Sequence, residues 1–130
     1  MQTSTLSILV IDEDAVRASI IEAGLLDAGY NQVTLVNDIN GIAKRIHDIE
    51  PDMILIDLGN PNRDMLEDMF QLSRAVKRPI AMFVDQSDQA STEAAINAGV
   101  SAYIVDGLKK ERVKSFLDMA ISRFNAYSHP

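Results

Sequence analysis

A doubly wound α/β fold around a five-stranded, mostly parallel sheet is what this sequence predicts, and three observations predict it. Five short apolar runs rich in β-branched residues recur along the chain: Leu6–Ile11, Val33–Val36, Met53–Ile56, Ile80–Val84 and Ala102–Val105. Most are continuous rather than alternating, as strands are when both faces of a parallel sheet are covered. Segments of helical length separate them, and strict β-α alternation implies right-handed crossovers. Periodicity does not fix the strand order. The commonest five-stranded solution is 2-1-3-4-5, with its switch point between strands 1 and 3.

Each connecting segment has its own signals. Segment 15–28 places Val16, Ile20 and Ala23 on one face, with Leu25 beside them, and stops at Gly29. Segment 39–48 carries only a short stripe of Ile39, Ile42 and Ile46. Segment 64–77 opens with Asp64 as an N-cap and Glu67 three residues on, a capping-box pair, followed by Leu66, Met69, Phe70 and Val76. Segment 88–98 has Ala90, Ala94, Ala95 and Ala98, small residues that let a helix lie close to a sheet, and stops at Gly99. Segment 109–127 spaces Val113, Leu117, Ala120, Phe124 and Tyr127 as a helix does. Pro51 and Pro79 stand at strand entries, where proline is tolerated.

Composition narrows the functional classes. At 130 residues the chain is the size of one domain, and 47% hydrophobic against 24% charged residues is ordinary globular usage. With no Cys, disulfide frameworks, thiolate metal sites and cysteine nucleophiles are excluded. A net charge of −7 without a basic block suits phosphate backbones poorly, so no nucleic-acid binding is expected of this domain alone. Ile8–Ile11 has no basic residue before it and is cut off by acids, unlike a secretory signal, and no apolar run approaches the roughly 20 residues that span a bilayer. A cytoplasmic protein without membrane contact is expected.

The chemistry concentrates at strand ends, because doubly wound sheets form their sites at the carboxyl ends of strands beside the switch point. The first strand ends in Asp12-Glu13-Asp14 and the third in Asp57. Gathering these carboxylates in one crevice is costly unless a cation is present or some are protonated. Oxygen ligands alone suit a hard ion such as Mg²⁺, and a carboxylate beside Mg²⁺ can attack phosphorus to give an aspartyl phosphate. The same residues also have a purely structural reading, with Asp12 and Asp14 capping a helix and Asp57 closing a strand. Other candidates are weaker. No Gly-x-Gly-x-x-Gly follows the first strand, His47 and His129 read as solvated surface residues, and Ser87 and Ser91 read as helix-start residues. A flavodoxin-like enzyme or ligand binder ranks last, for want of a phosphate-cradling loop, an aromatic box or a nucleophile–base pair.

At Leu9-Val10-Ile11-Asp12-Glu13, Asp57-x-x-x-Pro61-x-x-Asp64 and Ala98-Gly99-Val100-Ser101-Ala102-Tyr103, the chain resembles the receiver domain of two-component response regulators, from about residue 6 to about residue 124. The resemblance implies the flavodoxin-like (βα)5 fold with strand order 2-1-3-4-5 and a signalling module rather than an enzyme. It implies Asp57 as acceptor of a phosphoryl group from a histidine kinase. It also implies Mg²⁺ held by Asp12, Glu13, Asp57 and the backbone carbonyl of Gly59. The segments 60–64, 78–88 and 99–108 are similar to the amino-terminal half of NasT-type antitermination regulators, the group with a carboxy-terminal RNA-binding ANTAR module. Residues 1–130 are accordingly expected to be a single receiver domain whose parent protein carries that module.

The departures from the receiver pattern shape the functional expectation. An ordinary receiver has Thr or Ser where this chain has Val84, Ala where it has Asp85, Lys-Pro where it has Asp106-Gly107, and Gly where it has Met65. The hydroxyl and the lysine are the side chains that bind a phosphorylated aspartate and couple it to a conformational change. A hydrogen bond to a charged group contributes about 1.5–3 kcal/mol, so losing both weakens a phospho-state by several kcal/mol. The leading expectation is an atypical receiver acting through protein contacts and dimerisation, with a NasS-like nitrate/nitrite sensor as partner. The alternative is a receiver still phosphorylated on Asp57 with Mg²⁺. Contacts are expected on the face carrying Ile96, Tyr103, Ile104 and Phe124.

Overall fold

The structure is a computed structural model that describes residues 4–105, with side chains from residue 6 onward. Strands and helices alternate as β1 (Ser4–Ile11), α1 (Ala15–Asp27), β2 (Tyr30–Val36), α2 (Ile42–Ile49), β3 (Met53–Gly59), α3 (Arg63–Ala75), β4 (Ile80–Val84), α4 (Gln89–Asn97) and β5 (Ala102–Val105). Every strand pair is parallel and the order is β2-β1-β3-β4-β5. The fold class and strand order are the expected ones. The helix expected over 109–127, with Phe124, and the switch position Asp106 lie outside the described residues.

The continuous apolar runs are explained by the layering. Successive side chains of a strand point to opposite faces. Leu9 and Ile11 of β1 and Ile54 and Ile56 of β3 join a core with Ile42 and Ile46 of α2, Met69 and Phe70 of α3 and Ala95 of α4. Their neighbours Ile8, Val10, Met53 and Leu55 face the other way and pack with Ile21 and Leu25 of α1. All eight strand residues are at most 1% exposed. With both faces covered, the sequence has no polar position to spare.

Two helices differ from expectation in ways that affect the site. In α1 the buried residues are Ala18, Ile21 and Leu25, while Val16 is 74% exposed and Ala23 is also outward. Apolar residues surround this helix almost evenly, so periodicity could not select the buried stripe. The packing selected small Ala18 for the closest approach. In α3 the N-cap is Asn62 rather than Asp64: its side-chain oxygen accepts from the Met65 N–H at 2.8 Å. Glu67, expected to close a capping box, instead lies 3.6 Å from Arg63 in an exposed ion pair. Asn62→Ala should therefore cost about 1 kcal/mol in urea denaturation, a typical loss for an N-cap, while Asp64→Ala should leave the midpoint nearly unchanged.

Candidate functional site

The crevice forms where β1 and β3 end beside the switch point. Asp12 directly follows β1 and is tied down through its backbone: its N–H donates to the Val36 carbonyl at 3.0 Å, and its carbonyl accepts from Asn37 Nδ2 at 2.9 Å. Asp12 is 1% exposed and Asp57 4% exposed. β3 does not stop at Ile56. It carries Asp57 inside the strand and runs to Gly59, with an irregularity against β4 between Asp57 and Gly59. Gly59 has φ +63°, a left-handed conformation that favours glycine. The Gly59 N–H then donates to Asp57 Oδ1 at 3.0 Å, and the Gly59 carbonyl accepts from the Asp85 N–H at 2.7 Å.

Between the two buried carboxylates lies a side chain that the sequence reading did not single out. Asp14 caps α1, accepting from the N–H groups of Val16 and Arg17, and this fixes the direction in which Arg17 leaves the first turn. Arg17 Nε donates to Asp12 Oδ2 at 2.9 Å and Nη2 donates to Asp12 Oδ1 at 2.8 Å, a bidentate pair. The same Nε lies 3.3 Å from Asp57 Oδ2. Because that N–H is directed to Asp12, Asp57 Oδ2 is buried without a hydrogen-bond donor. A signal was present: Arg17 is the one basic residue in α1, five positions after Asp12.

The electrostatics follow from this arrangement. Burial pushes the Asp57 carboxyl up to about 6; the neighbouring Arg17 lowers it, Asp12 raises it, the Gly59 N–H lowers it and Asp85 raises it. Arg17 is held above its ordinary range, first by its hydrogen bond to Asp12. Asp12, Glu13, Arg17 and Asp57 line a crevice of about 190 Å³ together with Asn60 and Met65. Glu13 stands exposed at its rim.

Two of the four groups expected to hold Mg²⁺ therefore have other partners. Both Asp12 oxygens are bonded to Arg17, and the Gly59 carbonyl is bonded to Asp85. Among the described residues no group of three or more His, Cys, Asp or Glu side chains is placed to hold a metal ion. Mg²⁺ demands near-octahedral oxygen ligands at about 2.0–2.1 Å. The arrangement present does not fit that ion.

The remaining candidates are distributed around β4 and β5. Val84 ends β4 and is completely buried, with Asp85 half-buried after it. Tyr103 is half-buried, with its ring 6.4 Å from that of Phe70 and its hydroxyl 3.1 Å from Ser87 Oγ. Ser87 Oγ also lies 3.3 Å from Thr92 Oγ1. Ser87 is thus more than a helix-start residue, since it anchors Tyr103. Of the interface candidates, Ile96 is 65% exposed on α4. Tyr103 packs on the α2–α4 side and Ile104 on the α1 side, so they do not share one face.

Solved structures share this architecture. A response regulator from Thermotoga maritima is 17% identical with a TM-score of 0.75, covering 92% of this chain and 99% of that one. A CheY-like receiver domain protein from Methanospirillum hungatei is 16% identical with a TM-score of 0.76, covering 95% and 99%. A response regulator protein from Burkholderia multivorans is 24% identical with a TM-score of 0.65, covering 92% and 94%. Residues 8–118 match the response regulator receiver domain. Receiver domains are signalling modules rather than enzymes; they interact with histidine kinases and generally bind Mg²⁺ at the phosphorylation site. Given a match over most of its length and the same sheet order, the chain belongs to the response regulator receiver domain family.

Proposed function

We propose that this chain is an atypical receiver domain that signals through protein contacts rather than through a phosphorylated Asp57. In this reading it is the input module of a NasT-like antitermination regulator of nitrate/nitrite assimilation. The observation that carries the reading is Val84. At the end of β4 it offers a buried isopropyl group where a receiver's hydroxyl would bind a phosphoryl oxygen. A phosphoryl dianion there would gain no donor from that side and would meet the half-buried Asp85. The tyrosine normally coupled to that hydroxyl is tied to Ser87 instead. The output is assigned to contacts by exposed Ile96 and its surroundings, with a NasS-like sensor or a second copy as partner, and Phe124 is proposed to belong to the same surface.

A second reading has its own observation in favour. Asp57 Oδ2 is free of hydrogen-bond donors, so one oxygen of the candidate acceptor is uncommitted. Exposure to acetyl phosphate with Mg²⁺, followed by intact mass, separates the two. We expect no stable phosphoryl adduct. An adduct that appears on the wild type and disappears in Asp57→Asn would establish the phosphorylated reading instead.

A further inference from the structure

We propose that Arg17 is the resident cation of the acidic crevice, standing in for a divalent metal ion and closing the crevice to Mg²⁺ while it is seated. Three independent features build this arrangement. Arg17 grips both oxygens of buried Asp12, at 2.8 and 2.9 Å, and reaches within 3.3 Å of Asp57 Oδ2. A guanidinium keeps its charge at any physiological pH and matches a carboxylate with two parallel donors, so it offsets the paired carboxylates permanently.

The second feature is the space it occupies. A Cβ added at Gly59 would lie 2.6 Å from Arg17 Nη1 and 3.2 Å from Nη2. Gly59 thus leaves room for the guanidinium, and its left-handed φ of +63° is a conformation side chains rarely adopt. The third is the Gly59 carbonyl, which accepts from the Asp85 N–H at 2.7 Å across the β3–β4 pairing, so one of its two lone pairs is already engaged. A metal ion entering here must displace the two charge-assisted hydrogen bonds between Arg17 and Asp12, and a positive charge, before it reaches Asp12 or Asp57.

This role of Arg17 does not depend on which protein the domain contacts. It is tested with the full chain and Mn²⁺ as a paramagnetic probe, following the broadening of the Asp12, Glu13 and Gly59 amide signals in nuclear magnetic resonance. The wild type should show no saturable broadening through the low-millimolar range. Arg17→Gln, which keeps a donor but removes the charge, should bind with an affinity higher by roughly tenfold or more. Arg17→Ala provides a second variant, and its thermal midpoint should rise with Mg²⁺ while that of the wild type stays where it is in chelator. Saturable binding at the crevice of the wild type would overturn the inference. So would equal Mn²⁺ affinities in wild type and Arg17→Gln, or an Arg17→Gln protein that binds no Mn²⁺.

Discussion

Replacing Arg17 with alanine is expected to cost the fold about 3 kcal/mol at neutral pH, the lower end of what removing one partner of a buried ion pair costs. The lower end applies because the Arg17 side chain is 31% exposed, so solvent screens part of the interaction. What remains after the substitution is the expensive part. Asp12 is fully enclosed, and losing Arg17 leaves the Asp14 N–H on Oδ1 as its remaining side-chain partner. Arg17→Lys should recover part of the loss, because it restores a charge without the bidentate geometry. Chemical denaturation of the three proteins checks this. A loss within a few tenths of a kcal/mol for Arg17→Ala would show that Asp12 is not held by this pair.

Asp57→Asn is expected to change stability in the opposite direction, raising it by about 1–2 kcal/mol above pH 7. The folded-state pKa of Asp57 is raised from an ordinary value of 3.8 to about 6, first by burial. The folded protein therefore binds this proton more tightly than the unfolded chain does. The stability gained from that preference is fully present below about pH 4 and is lost as pH rises through about 6. Two pKa units at about 1.4 kcal/mol each set an upper bound near 3 kcal/mol. An asparagine keeps the Oδ1 acceptor for the Gly59 N–H but turns an amide toward Arg17 Nε, which offsets part of the gain. Urea midpoints measured from pH 4 to pH 8 should show the advantage of Asn growing with pH and levelling off above 7. An Asn variant less stable than wild type at pH 8 would mean that the Arg17–Asp57 attraction exceeds the cost of burying the charge.

Much of this architecture is written plainly in the residues. The runs Ile8–Ile11 and Ile80–Val84 must be central strands, because no other element buries four or five consecutive apolar residues so short of helical length. Gly29 and Gly99 stop their helices where expected, and both have positive φ. The acidic strand ends converge because the switch point lies between β1 and β3. What could not be read depends on direction rather than on type. The buried stripe of α1 is ambiguous because Val16, Ile20, Ile21, Ala23, Leu25 and Leu26 surround the helix. Only docking decides that Ala18, Ile21 and Leu25 face inward, and that choice in turn carries Arg17 over the crevice. β3 extends past Ile56 because Asp57 and Gly59 still pair with Phe83 and Val84 of β4, a tertiary fact invisible to hydropathy. Tyr103 and Ile104 are adjacent strand residues and so point to opposite faces, which splits the single contact face expected of them.

In this receiver Arg17 takes the place of a metal ion between Asp12 and Asp57. A crystal structure grown from Mg²⁺-containing solution tests it most directly. Arg17 should be bidentate on Asp12 and within ion-pair distance of Asp57, with no metal density between the two carboxylates. A hydrated ion between Asp12 and Asp57, with Arg17 turned out to solvent, would contradict it.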